Sequence, residues 1–428
     1  MKKIKISSFL AAICVICCSC AAKDNALYKF DFGSGKVKSG YTQVDTTAYS
    51  AERGFGLDFG TTANAVTRSS GDALSSDLLT SDQPFYFSVT MPEGNYKVTM
   101  TFGDMEQATA TLVKVESRRL MLETVKTEPG EFVTREIMVN VRTPKINEEQ
   151  SVKLNSREHG KLDWDDKLTI EFNGPKPAIS SMIIENAPDS TVTVFLTGDS
   201  TVVDQDSEPW NSWGQMITNF FDTGVSVANY AESGQSLGSS ISSRRLAKAV
   251  SQMKEGDYLF IQFGHNDMKQ KGEGKGPWES YTNELKIYVK AAREKGATPV
   301  LITQMHRRRF DEEGKVQNSH GEYPDAVRKV AADENVALID LNNMSVEFYE
   351  ALGPEGSAAA FQDGTHHNNY GSYELAKCVI LGLTETGLPL AKHVSPNFGT
   401  YNPAQPDDPG AFYMPASPRY SMEKPLGD

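Results

Sequence analysis

The chain has 428 residues, of which 39% are hydrophobic and 23% charged. That is too long for one typical core and predicts two or three domains of ordinary soluble composition. A formal net charge of −13 argues against nucleic acid or an anionic membrane surface as the partner.

The first residues read as a targeting segment. "MKKIK" is cationic, and "SSFLAAICVICCSC" is a short apolar run ending in small residues. It is too short and wrongly flanked for a membrane span, so residues 1–20 are set apart from the fold as an export signal. Cys14, Cys17, Cys18 and Cys20 all lie there. With Ser19 before it, Cys20 resembles the lipidated first residue of a bacterial lipoprotein. That implies a lipid anchor in the cell envelope as the chain's only membrane attachment. Plain cleavage near Ala21 or Ala22, giving a periplasmic or secreted protein, is the alternative, and Cys18 is a competing site. The body keeps only Cys378, so no internal disulfide is expected and stability must come from core burial. Cys378 sits in the apolar stretch "YELAKCVILGL" and reads as a buried structural thiol.

Residues 21–187 form a first, β-rich domain. "YKFDFG" (28–33), "FYFSVTM" (85–91), "NYKVTMTFG" (95–103), "TATLVKVE" (109–116), "FVTREIMVNV" (132–141) and "KLTIEF" (167–172) alternate apolar and polar residues or run in β-formers. Pro-Glu-Gly, Glu-Pro-Gly and Asn-Gly clusters separate several of them, and no long helical period intervenes. An all-β sandwich of jelly-roll type follows.

"NAPDS" (186–190) reads as a linker, and residues 188–395 change pattern. The strands "TVTVFLTG" (191–198), "VSVAN" (225–229), "DYLFIQFG" (257–264), "TPVLITQM" (298–305) and "VALIDL" (336–341) alternate with helical stretches at 212–221, 239–250, 278–296, 323–335 and 370–387. Alternation of this kind predicts an α/β domain, a parallel sheet covered on both faces in three α/β/α layers. Residues 396–428 are rich in Pro, Gly and Asp. Phe398, Tyr401, Phe412 and Tyr413 among them suggest an extended tail packed on the body.

Ligands of an open parallel sheet bind beyond the carboxyl ends of its strands. Those ends deliver "GDST" (198–201), "AESGQS" (231–236), "GHND" (264–267) and "MHRRRF" (305–310), and "DGTHHN" (363–368) precedes the last helix. A serine hydroxyl needs an adjacent imidazole to take its proton, and the imidazole needs a carboxylate to hold it. Asp363 and His366, three residues apart, can be presented by one short segment. Acyl transfer also needs donors for the oxyanion, and glycine turns and the Asn266 amide offer them. "GQSLG" (234–238) also spells a G-x-S-x-G nucleophile turn, which makes Ser236 a rival to Ser200.

"TGDST", "SGQS", "QFGHND" and "QDGTHHN", in this order, resemble the four motif blocks of the SGNH, or GDSL, hydrolase superfamily across roughly residues 191–390. The "DSTV", "ITQMHRRRFD" and "QDGTHHNNYGSYELAK" forms resemble rhamnogalacturonan acetylesterases of carbohydrate esterase family twelve. The β-rich region resembles their galactose-binding-like accessory domains. The resemblance implies a flavodoxin-like sheet and a serine esterase removing acetyl groups from an acidic pectic polysaccharide. Ser200 is then the nucleophile, His366 the base and Asp363 its orienting acid. The backbone N–H groups of Ser200 and Gly234 and the Asn266 side chain form the oxyanion hole. Ser236 becomes a residue of the turn and helix start. His265 and Asp267 read as structural, and His367 as a neighbour lining the cleft.

Arginines at Arg307, Arg308 and Arg309 would suit an anionic galacturonate polymer. Trp210 and Trp213 are candidates for sugar stacking or core packing. The sequence shows no Cys/His metal spacing and no phosphate loop, so neither metal nor cofactor is expected, and a monomer is expected. Rival readings are a deacetylase for xylan or other acetylated sugars, and a catalytically dead glycan-binding lipoprotein.

Overall fold

The computed structural model describes residues 25–425. The targeting segment, including Cys20, lies outside the described residues.

Two five-stranded sheets face each other in the N-terminal unit. One runs, in spatial order, Phe132–Val141, Gly94–Gly103, Ser181–Asn186, Ala26–Phe32 and Thr42–Val44. The other runs Phe55–Asp58, Phe85–Thr90, Lys167–Lys176, Thr109–Val115 and Arg119–Thr127. The period of two carries the packing: Tyr96, Val98, Met100 and Phe102 are buried, while Lys97, Thr99 and Thr101 between them are only half-buried. Phe30 and Phe32 meet Phe87 edge-on at 5.2 Å in the core between the sheets. Strands Arg119–Thr127 and Ser181–Asn186 were not anticipated, nor were four short ones between residues 42 and 80.

The second unit holds a parallel sheet in the spatial order Val225–Asn229, Val192–Gly198, Tyr258–Gln262, Thr298–Ile302, Ala337–Ile339. In chain order this is 2-1-3-4-5, the flavodoxin-like arrangement, whose ligand crevice opens between the first and third strands. The expected helix over 239–250 is broken into Leu237–Ser242 and Arg245–Gln252, because Arg244 between them adopts a left-handed φ of 66°. Over 212–221 only Trp213–Met216 is α-helical, and a 3₁₀ turn continues it. A helix over Leu341–Gly356 was missed. Asp340 caps its start, and Gly353 and Pro354 kink its end. Cys378 is fully buried.

In the tail, Phe398, Tyr401 and Phe412 pack against the apolar core of the α/β unit, whereas Tyr413 is 59% exposed. Tyr420 pairs with Glu208 as a short parallel bridge.

"NAPDS" is a short turn between two closely docked units rather than a loose tether. Leu112 and Leu120 of the sandwich join the apolar core of the α/β unit. Around them the seam is ionic and dry. Arg142 of the first unit, 2% exposed, lies between Asp163 at 3.5 Å and Asp204 of the second unit at 3.4 Å. Arg119 reaches the same Asp204 at 3.5 Å. Glu158 holds Arg245 at 2.6 Å. Removing one partner of such a pair strands the other charge away from water. Arg142→Ala is therefore expected to cost about 3–5 kcal/mol in urea unfolding, with both units melting in one transition.

Candidate active site

The strand Val192–Gly198 ends in a tight turn that exposes its polar residues at the crevice. The buried Asp199 carboxylate accepts from the Thr201 backbone N–H at 3.0 Å and its hydroxyl at 2.8 Å. It also contacts His265 Nδ1 at 3.3 Å. Burial alone would raise Asp199, but His265 and Thr201 hold it below the usual carboxylate range. The next residue, Ser200, is thereby fixed on the crevice side and is 1% exposed.

His366 comes from the other end of the unit. Its Nε2 lies 2.9 Å from Ser200 Oγ and its Nδ1 2.9 Å from Asp363 Oδ2. The three-residue spacing closes on itself, since Asp363 Oδ1 accepts from the backbone N–H groups of Thr365 and His366, both at 2.6 Å. Burial pushes the Asp363 carboxyl up. Its bonds to His366 and Thr365 outweigh burial and hold it well below the usual range. A carboxylate that stays charged fixes Nδ1 as the donor and leaves Nε2 free to accept from the serine.

The two loops expected to supply oxyanion donors meet. Asn266 Nδ2 donates to the Gln235 carbonyl at 3.0 Å, and the Glu232 N–H donates to the Gly198 carbonyl at 3.2 Å. Gly234 has φ +80°, a left-handed turn that a side chain would strain. Asp267 accepts from the N–H groups of Leu237 and Gly264, both at 3.0 Å, and so ties these loops together. Burial raises its carboxyl to about 7.

Ser236 is not in this set. It caps the helix Leu237–Ser242, its Oγ accepting from the Ser239 N–H at 3.2 Å. His367 does not line the cleft, contrary to expectation. It is fully buried against Tyr349 and Phe361 and bonds the Tyr349 hydroxyl at 2.8 Å. Trp213 is a core residue bonded to Gln262 at 2.7 Å. Trp210, 6% exposed, is no stacking platform either: its Nε1 is bonded to the Ser421 carbonyl and its ring meets His366 edge-on at 5.8 Å. Arg308 is occupied by Ser357 and the Pro354 carbonyl, and Arg309 is exposed. Arg307 reaches the His265 carbonyl at 3.5 Å.

Three contacts had no signal in the sequence. Gln205 Nε2 donates to the Ser200 carbonyl at 2.8 Å. Lys424 of the tail lies 3.2 Å from Asp363 Oδ2. His265, His306 and His320 pack ring against ring, at 4.6 and 5.8 Å, beneath the "GHND" turn. Among the described residues no group of three or more His, Cys, Asp or Glu side chains is placed to hold a metal ion.

A serine, an imidazole and a carboxylate linked in series at the carboxyl edge of a parallel sheet define the class of α/β serine hydrolases. Residues 196–372 match the GDSL-like lipase/acylhydrolase family, and residues 28–122 match the β-agarase/YXIM esterase-like, galactose-binding domain-like family. The rhamnogalacturonan acetylesterase RhgT of Bacillus subtilis (strain 168) is 41% identical over 220 residues, 47% of this chain and 94% of the relative. The uncharacterized esterase YxiM of the same organism is 26% identical over 384 residues, 86% of this chain and 93% of the relative. A crystal structure of the B. subtilis YxiM protein aligns with a TM-score of 0.46 and 25% identity, over 85% of this chain and 99% of that one. The chain belongs to the GDSL-like lipase/acylhydrolase family and is a carboxylic ester hydrolase.

Burial holds His306 down to about 4 and His367 down to about 3, both from 6.5. Each stays neutral in the fold and charges on unfolding, so its contribution is complete above pH 6.5 and is lost as pH falls towards about 4. Thermal midpoints should drop across that window, and His306→Asn should flatten the drop.

Proposed function

We propose that the protein is a carbohydrate acetylesterase whose substrate is an acetylated acidic polysaccharide of the rhamnogalacturonan type. The observation that carries the chemistry is His366 bridging Ser200 Oγ and Asp363. The relationship to RhgT supports the substrate. Export, with lipidation at Cys20, accords with a polymer met outside the cell.

As an acetyl ester enters, His366 Nε2 takes the Ser200 proton and Oγ attacks the carbonyl carbon. The negative oxygen of the tetrahedral intermediate is met by the N–H groups of Ser200 and Gly234 and by the Asn266 amide. Collapse expels the sugar oxygen, which leaves with the proton from His366. Water, deprotonated by the same imidazole, then attacks the acetyl-serine, and acetate departs as the hydroxyl of Ser200 is restored. Asp363 keeps its charge throughout and stabilises the imidazolium.

Ser200→Ala should lower kcat by at least about 10³-fold, and Asn266→Ala by about 10²–10³-fold. Ser236→Ala should leave most of the turnover, since that hydroxyl caps a helix. Acetate release from acetylated rhamnogalacturonan, measured beside acetylated xylan, tests the substrate. Release from xylan alone, or from neither polymer, would overturn the pectic assignment, and the absence of both acetate release and labelling by a serine-directed phosphonate would overturn the esterase reading.

A further inference from the structure

A hairpin of the N-terminal unit reaches the reacting serine through two hydrogen bonds. Its tip, between the strands Thr109–Val115 and Arg119–Thr127, is bent by two non-glycine residues with left-handed backbone, Glu116 at φ 53° and Arg118 at φ 65°. Such a turn is unfavourable for side-chain-bearing residues and persists only where its surroundings hold it. Here the Glu116 N–H donates to the Thr169 carbonyl at 2.8 Å, and Glu116 Oε1 accepts from the Thr169 N–H at 3.0 Å. The tip is dry: Glu116, Ser117, Arg118 and Arg119 are each 3% exposed or less.

The turn aims Arg118 across the seam into the loops of the α/β unit. One guanidinium nitrogen donates to the Trp210 carbonyl at 2.7 Å and to the Gln205 carbonyl at 3.2 Å. The other meets Glu208 at 2.7 Å and Asn369 at 3.1 Å. Ser117 adds its carbonyl, which accepts from Gln215 at 2.6 Å, and the same Gln215 amide bonds the Gln205 carbonyl at 2.8 Å. Gln205 in turn holds the Ser200 carbonyl at 2.8 Å. Trp210, the other residue gripped, is the one whose ring abuts His366. A second grip from the same unit falls on Glu232, which precedes the Gly234 turn. Arg157 pairs with it, and so does Lys161 at 3.3 Å.

We infer that the accessory unit is part of the catalytic apparatus, with Arg118 as a positioning residue that sets Ser200 and His366 through Gln205 and Trp210. The inference rests on the triad reading above. Its physical basis is where the contacts fall. They land on the segments that flank the nucleophile, the base and the oxyanion turn. There a misplacement of about 1 Å costs on the order of 10²-fold in rate.

The test uses the full-length protein, with p-nitrophenyl acetate as substrate and a serine-directed phosphonate to titrate intact sites. Arg118→Lys keeps a cation for Glu208 but loses the planar fork. Gln205→Leu leaves the seam charges intact and cuts only the links to Ser200 and Ser233. Both should lower kcat per titrated site by about 10–100-fold, with KM moving by less than about threefold. The double variant should lose less than the product of the single losses, because the two share the route through Gln205. Folded, titratable variants with kcat within about twofold of the parent would overturn the inference and leave Arg118 as a seam contact only. Where Arg118→Lys does not fold, Gln215→Leu, which cuts the link from the Ser117 carbonyl to the Gln205 carbonyl, takes its place with the same expected loss. A parent protein that neither reacts with the phosphonate nor turns over the ester would instead defeat the triad reading.

Discussion

One imidazole has to face two partners at once, and the second unit is arranged around that demand. Ser200 follows the first strand of the sheet, whereas Asp363 and His366 precede the last helix. Bringing them within 2.9 Å on either side of His366 requires the whole parallel sheet to be complete. Local geometry handles the rest. The Asp363 carboxylate gathers its own loop through two backbone N–H groups, and the same bonds keep it charged in a half-buried place. Low dielectric strengthens that carboxylate's hold on the ring, because little water competes for it.

The seam between the units extends this logic to charge. Buried ions are weak glue, because desolvation consumes most of their attraction, but a wrong partner is very unfavourable. Asp204 pairs with Arg119 and Arg142, Glu208 with Lys114 and Arg118, and Glu232 with Arg157 and Lys161. In each case the carboxylate belongs to the α/β unit and the cations to the sandwich. Glu158 with Arg245 and Glu93 with Lys248 run the opposite way, and this pattern of matched charges gives the two units a single register. Burial works against Glu208, yet Arg118 and Lys114 hold it below its ordinary range, as expected of an anion meant to stay charged.

Much of this was legible in the sequence, and the parts that were not share a cause. Parallel strands buried on both faces read as apolar runs, and their polar carboxyl-end turns stand out against them, which is why "GDST", "GHND" and "DGTHH" were found. The strand Arg119–Thr127 opens with an arginine that is fully buried, so its text contradicts its environment and hid it. The helix Leu341–Gly356 was masked by an Asn-rich start and a Gly-Pro end. Gln205, Trp210 and Lys424 carry no local signal at all: what they do is defined by partners far along the chain. His367 misled because two adjacent histidines look alike in text, while the backbone turns one into the site and the other into the core.

The charged seam also bears on descent. A module that travels freely between genes must present a surface that water tolerates when it is alone. Carboxylates alone meet that demand, since water solvates them, but here Asp204, Glu208 and Glu232 pair with cations of the neighbouring sandwich. Exchange of either unit as a cassette would bring an unmatched set of charges into contact. Substitutions at these positions are therefore coupled across the seam, each unit constraining which changes the other can accept.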